Sequence, residues 1–259
     1  MQPTMSEYLK SLEREGRGVT ADCYKRGLNV LQAWLDQAGQ PDPLKLTREH
    51  LEKFQTWLSN DYRSSAGQPL GRGTQGTRLA AVKSYYAWLR LQGHILVDPA
   101  LKLQPPRVRR STVNKDHLTQ QEATALLQTQ AQFATSFKTG GEKWAVEYRN
   151  LAMLSLALAT GRRRTSLISL RVSDLDFKRN EIRIEWEKGK PGRVLPCSAW
   201  ALDVAKEYLA HARARLLNGR PDPGWLFISA EGNRVYQDCL RVAVADAQQR
   251  AAEANPDLE

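Results

Sequence analysis

Apolar residues return every three or four positions through the first hundred residues. Tyr24, Leu28, Leu31 and Leu35 form one stripe after Val19-Thr20. Leu51, Phe54 and Leu58 form another behind Thr47, with Glu49 adding negative charge to that helix's first turn. Ser64 to Gly76, rich in glycine and polar residues, breaks the pattern and predicts a loop. Leu79, Val82, Tyr86 and Leu89 then predict a helix over 77–91, and Asp98-Pro99 stops any continuation. Residues 1–101 thus predict a bundle of four or five helices.

Residues 102–116, KLQPPRVRRSTVNKD, change character. Pro105-Pro106 stiffens the chain and Arg107, Arg109, Arg110 and Lys115 charge it, so the stretch reads as a basic linker. Leu118-Thr119-x-x-Glu122 has the form of a capping box and opens the next helix. A buried helix is predicted from about Tyr148 to Ala159, a turn at Thr160-Gly161, and a shorter helix ending near Leu170. Glu181 to Trp186 alternates as a strand, 187–192 reads as a tight turn, and Arg193-Val194-Leu195 pairs back. An amphipathic helix over 199–217, an extended piece at 225–228 and a helix over 235–254 complete residues 117–259. The fold class is mainly α: a helical bundle followed by an α+β domain with a small antiparallel sheet.

Charge narrows the partners. Against 28 acidic residues stand 38 Lys and Arg, a net charge of +10 that suggests a polyanion, most often nucleic acid. The longest nearly apolar run, Leu151 to Ala159, is far too short for a membrane span, and MQPTMSEYLK has no signal-peptide core. Cys23, Cys197 and Cys239 are odd in number and far apart, which fits a reduced, cytoplasmic protein. With no Cys-x-x-Cys or His-Glu-x-x-His, no metal site is expected.

Gly71-x-Gly73-x-x-Gly76 matches the dinucleotide fingerprint as a string, but no strand precedes it, so it reads as a loop leading into a helix. Nor does the chain hold a Gly-x-x-x-x-Gly-Lys-[Ser/Thr] string. Arg162, Arg163 and Arg164 crowd a helix start that the backbone dipole already makes positive. On their own they read equally as a solvated basic turn or as an anion site, since a helix start and guanidinium together suit phosphate.

The surrounding residues bear on that choice. Thr160-Gly161-Arg162-Arg163-Arg164-Thr165-Ser166-Leu167, followed by Leu170 and Asp174, resembles the first catalytic box of the tyrosine recombinases, the phage integrase family, in its Xer-like form. There the pattern is Thr-Gly-x-Arg-x-x-Glu-Leu, then Leu-x-x-x-Asp. Trp186-Glu-Lys-Gly-Lys-Pro-Gly-Arg-Val-Leu-Pro196 resembles the family's β-hairpin carrying a catalytic lysine. Tyr148-Arg149-Asn150, Asp98-Pro99-Ala100 and Leu226-Phe227 before Gly232 agree in order.

The resemblance implies a SAM-like core-binding clamp over 1–101 and the front of a catalytic domain over 117–259. It makes Arg163 the catalytic arginine and Lys188 the lysine, with Lys190 as the alternative and a DNA contact. The partner is double-stranded DNA, bound by a homotetramer in the full-length enzyme. In the implied reaction a tyrosine attacks a phosphodiester, arginine steadies the charged oxygens, and lysine protonates the departing 5′-oxygen. The phosphotyrosine keeps the bond energy, so no cofactor is expected. Arg72, Thr74, Arg78 and Lys83 around the third helix are candidate phosphate contacts, though singly each reads as an ordinary surface residue. The linker's Arg109 and Arg110 are stronger candidates. Trp34, Trp57 and Trp88 lie on apolar stripes and read as core.

Two departures qualify the match. Ser166 stands where the pattern has glutamate. The family's His-x-x-Arg and nucleophilic tyrosine would follow the helix ending near Ala254, and none of His50, His94, His117 and His211 begins that string. Tyr236 precedes the place where the nucleophile belongs. The expectation is a chain that binds DNA without cleaving it. A catalytically dead DNA-binding regulator and a basic helical protein-interaction module remain as alternatives.

Overall fold

The computed structural model describes residues 2–39, 42–108, 117–187 and 190–255, the backbone alone at 185–187, 190 and 191. It divides into two compact units, 1–114 and 115–259.

The first unit is helical: α1 (Pro3–Arg14), α2 (Gly18–Gln37), α3 (Arg48–Asn60) and α4 (Arg72–Leu91), with a 3-10 turn at Pro43–Lys45. The predicted stripes face inward, for Leu28, Leu31, Leu35, Leu51, Phe54, Leu58, Val82, Tyr86 and Leu89 are fully buried. Trp34 lies in this core, and Trp57 and Trp88 pack against it. Helices α2 and α4 cross so closely at Gly27 that a Cβ there would lie 2.6 Å from the Ala81 Cβ.

The predicted loop over 64–76 is too long, because α4 begins at Arg72. Polar bonding rather than apolar periodicity explains the extra turn. The Gln75 amide donates to the Leu70 carbonyl (2.8 Å) and accepts from the Ser59 hydroxyl (3.1 Å), so a polar residue is buried there. Gly73 and Gly76 are therefore helical, and the fingerprint string lies in no strand–loop–helix unit.

The second unit is a set of helices around a small sheet. Helix α5 (Gln120–Thr135) opens on the predicted capping box: Glu122 N–H donates to the Thr119 hydroxyl and Thr119 N–H to the Glu122 carboxylate. Helix α6 (Glu142–Thr160) is longer than predicted and buries Leu151, Ala152, Met153, Leu154 and Leu156. Then come α7 (Arg164–Ile168), a 3-10 turn (Val172–Asp174) and strands β1 (Leu175–Asp176), β2 (Glu181–Glu187) and β3 (Lys190–Pro196). The sheet is antiparallel in the order β1-β2-β3, with Ile182 opposite Leu195 and Glu187 opposite Lys190. Residues 190–192 thus belong to β3, and the predicted turn over 187–192 narrows accordingly. Helix α8 (Ala199–Glu207) runs through a π-helical turn (Tyr208–Ala212) into α9 (Arg213–Leu217), and α10 (Cys239–Ala254) closes the unit, starting four residues later than predicted.

Candidate nucleic-acid interface

Gly161 ends α6 in the left-handed conformation (φ 57°), where a side chain would be strained. The chain turns there, and Arg163 becomes the N-cap of α7, its carbonyl accepting Leu167 N–H at 3.0 Å. Arg163 is exposed at this turn. Its neighbours are tied down: Arg162 Nε donates to the Thr160 carbonyl (3.0 Å), and Arg164 pairs with Asp238 at 3.2 Å. Apolar Leu167 and Ile168 anchor α7 beneath. Asp174, buried, accepts the Arg171 N–H at 2.7 Å and closes the 3-10 turn. A short helix on an apolar footing thus carries a row of guanidinium groups at its start, where backbone N–H groups also point outward.

The other candidates are distributed differently. Lys188 lies outside the described residues, as do Arg109 and Arg110. Lys190 stands on β3 opposite Glu187, and its side chain is not described. Arg72 and Thr74 are exposed in the first turn of α4, which has neither a side-chain cap nor an acidic residue, and around Gly71 and Gly73 there is open space. Arg78 is half-buried one turn beyond Thr74. Lys83 donates from Nζ to the Leu103 carbonyl at 2.8 Å, holding the end of the first unit.

Sequence reasoning missed the polar groups that fix the irregular backbone around the arginine turn. Arg149, buried in α6, donates to the Ile228 carbonyl (3.0 Å) and to Asn150 Oδ1 (2.9 Å). Arg213, also buried, reaches Asp222 through Nη1 (2.6 Å) and the Trp225 carbonyl through Nη2 (2.8 Å). That pairing holds the Asp222 carboxyl down at about 2. Arg171 and Arg234 stack on the Trp225 indole, with Cζ 4.2 and 4.7 Å from its centroid. Only the occurrence of arginines in otherwise apolar stretches hinted at these roles. Among the described residues no cluster of three His, Cys, Asp or Glu could hold a metal, and no helix is long and apolar enough to cross a membrane.

Comparison with known proteins gives this arrangement its relatives. Residues 5–93 match the phage integrase N-terminal SAM-like domain, and residues 116–257 match the phage integrase family. Tyrosine recombinase XerC 2 of Ralstonia nicotianae is 32% identical over 202 residues, covering 78% of this chain and 54% of the relative. The chain therefore spans about half the length of that protein. XerC of Roseiflexus sp. is 31% identical over 238 residues, covering 91% of this chain and 70% of the relative. Among solved structures, XerH recombinase bound to its difH substrate superposes with a TM-score of 0.66 at 15% identity, covering 96% of this chain and 68% of that one. A lambda integrase dimer on a core site gives 0.59 at 17%, covering 96% and 80%. The helical bundle and the small antiparallel sheet are thus those of the phage integrase family, the tyrosine recombinases, and the chain belongs to it.

Proposed function

We propose that these 259 residues are the DNA-gripping part of a site-specific recombinase and bind duplex DNA without cleaving it. Residues 1–101 act as the clamp, 102–116 as a basic connector along the backbone, and 117–259 as the front of the catalytic domain. Arg163 binds the scissile phosphate and Lys188 serves as the proton donor to the 5′-oxygen. Arg72, Thr74, Arg78, Lys83, Arg109, Arg110 and Lys190 contact the flanking backbone. The whole recombinase assembles as a tetramer on paired sites in the cytoplasm, and its chemistry calls for neither nucleotide nor metal, because the phosphotyrosine conserves the bond energy.

The observation that carries this reading is the exposed Arg163 at the start of α7, flanked by arginines that the fold secures. A row of fixed guanidinium donors suits the non-bridging oxygens of a phosphodiester. The regulator reading is a second possibility favoured by Ser166, which stands in place of the pattern's glutamate.

Duplex binding measured by fluorescence anisotropy against salt tests the proposal. Affinity should fall steeply with ionic strength, and Arg72→Ala should make the log–log slope shallower by about 1, the share of a single neutralised phosphate. Arg163→Ala should weaken binding by about 1–3 kcal/mol. Salt-independent binding, or an SDS-stable protein–DNA adduct formed by these residues, would refute it.

A further inference from the structure

Under α7 the second unit holds a pocket of about 240 Å³, lined by Ser166, Ser169, Arg171, Asp174, Trp225 and Arg234, with Leu170 and Ile184 as apolar wall. Two guanidinium groups and two hydroxyls meet there against a single carboxylate. That carboxylate, Asp174, already accepts a backbone N–H. Arg234 uses Nε and Nη2 on the Ile168 carbonyl and the Ser169 hydroxyl. Arg171 commits its guanidinium face to the indole. Stacking leaves the N–H edge of a guanidinium open, and that edge is the part that recognises oxyanions.

The backbone keeps Arg171 in this position. Val172 N–H donates to the Gly224 carbonyl and Leu226 N–H to the Leu170 carbonyl, which sets Trp225 opposite Arg171. Gly224 has a φ of +77°, and a Cβ there would sit 3.4 Å from Arg171 Nη1. The small side chain of Ser166 leaves the pocket open on the α7 side.

We propose that this pocket is a site for one small free oxyanion of phosphate size, held between the N–H edge of Arg171 and the remaining Nη N–H groups of Arg234, with the Ser166 hydroxyl as a further donor. The Ser169 hydroxyl, which donates to the Thr165 carbonyl at 2.6 Å, keeps Arg234 in place. It is separate from the DNA phosphate assigned to Arg163 and does not rest on that assignment. The apolar wall lowers the local dielectric and strengthens the charge-assisted bonds.

Inorganic phosphate is the probe, titrated against chloride at matched ionic strength. Thermal unfolding and the ¹⁵N indole resonance of Trp225, identified through Trp225→Phe, are the readouts. The native chain should show a saturable rise in Tm of about 2–4 °C and a saturable indole shift. Ser166→Glu supplies its own carboxylate and keeps every arginine in place, so both responses should vanish. Arg171→Gln should also abolish them. A short duplex should neither reproduce the indole shift nor compete with phosphate for it. The proposal is overturned if the native chain gives no saturable response or if Ser166→Glu retains it. It is equally overturned if duplex competes, or if Arg163→Gln abolishes the response, since either result places the phosphate on the DNA-facing arginine. DNA affinity is read separately, so its failure leaves this result unaffected.

Discussion

In the first unit the large buried side chains are Tyr8, Leu28, Leu31, Phe54, Tyr85 and Tyr86, and Gln75 is the sole buried polar residue among those described. The second unit buries Gln130, Arg149, Asn150, Ser155, Ser166, Asp174 and Arg213 alongside its apolar core. The first is built on four helices of 12 to 20 residues, so burying their stripes suffices. The second must hold α7, a 3-10 turn and the stretch 218–238, which has little regular structure. Such backbone cannot satisfy its own carbonyls, and buried guanidinium groups do it instead. One unit is specified by shape, the other by polar bonds at a few positions.

High pH should separate the two most strongly. Burial pushes the hydroxyls of Tyr8 and Tyr85 up to about 12, and that of Tyr86 further up. The second unit has one such residue, Tyr208, also raised to about 12 by burial. Folded values above the ordinary 10 mean that the stabilisation is complete below pH 10 and is lost as pH rises through 12. Tyr8 and Tyr85 should each forfeit on the order of 2 kcal/mol. Hydrogen exchange followed peptide by peptide should show the first unit opening before the second above about pH 10.

Arg213→Ala should do the reverse and weaken the second unit alone. It strips the Trp225 carbonyl of its donors and releases Asp222, a loss of about 2–4 kcal/mol by urea unfolding. Unchanged stability would show that the buried guanidinium is dispensable.

The reliance of the first unit on shape is sharpened by two glycines. Gly27→Ala drives a methyl to 2.6 Å from the Ala81 Cβ and 3.2 Å from the Arg78 carbonyl, which should cost about 1–3 kcal/mol. Gly76→Ala, also in the first unit, meets only the Pro105 Cβ at 3.8 Å and should gain about 0.5–1 kcal/mol from lower chain entropy. Equal effects would mean that the α2–α4 crossing is looser than its geometry.

The same division explains what was legible in the sequence. The stripes through Leu31, Phe54 and Leu89 carried the first unit, because periodicity reports a face to be buried. The Thr119–Glu122 box and the β2–β3 pairing were equally readable, being local. The start of α4 was misplaced because Gln75, a polar residue, anchors that turn through bonds to Leu70 and Ser59. Arg163 is proposed on its motif, since no apolar periodicity marks it. Arg149, Arg213 and Arg234 were invisible as structural residues, since their acceptors are carbonyls at Ile228, Trp225 and Ile168, distant or outside any repeat.

Low pH offers the subtlest contrast. The Arg213 hydrogen bonds, helped by Gly224 N–H, hold Asp222 at about 2, below its ordinary 3.8. A depressed folded value contributes stability above the ordinary value and loses it as pH falls toward 2. Asp222 is half exposed, so solvent screening limits the effect to about 1 kcal/mol. The second unit should therefore soften between about pH 4 and 2. Asp222→Asn should lower its stability at neutral pH and flatten that slope. The slope should shrink rather than vanish, because Glu122 and Glu231 are also held below the ordinary carboxylate range, each chiefly by a side-chain hydrogen bond, to Thr119 and Ser229 respectively. A slope identical to that of the native chain would show that the Arg213–Asp222 pair responds to solvent rather than to folding. The ordering of 218–238 would then rest on the carbonyl bonds of Arg213 and Arg149 alone.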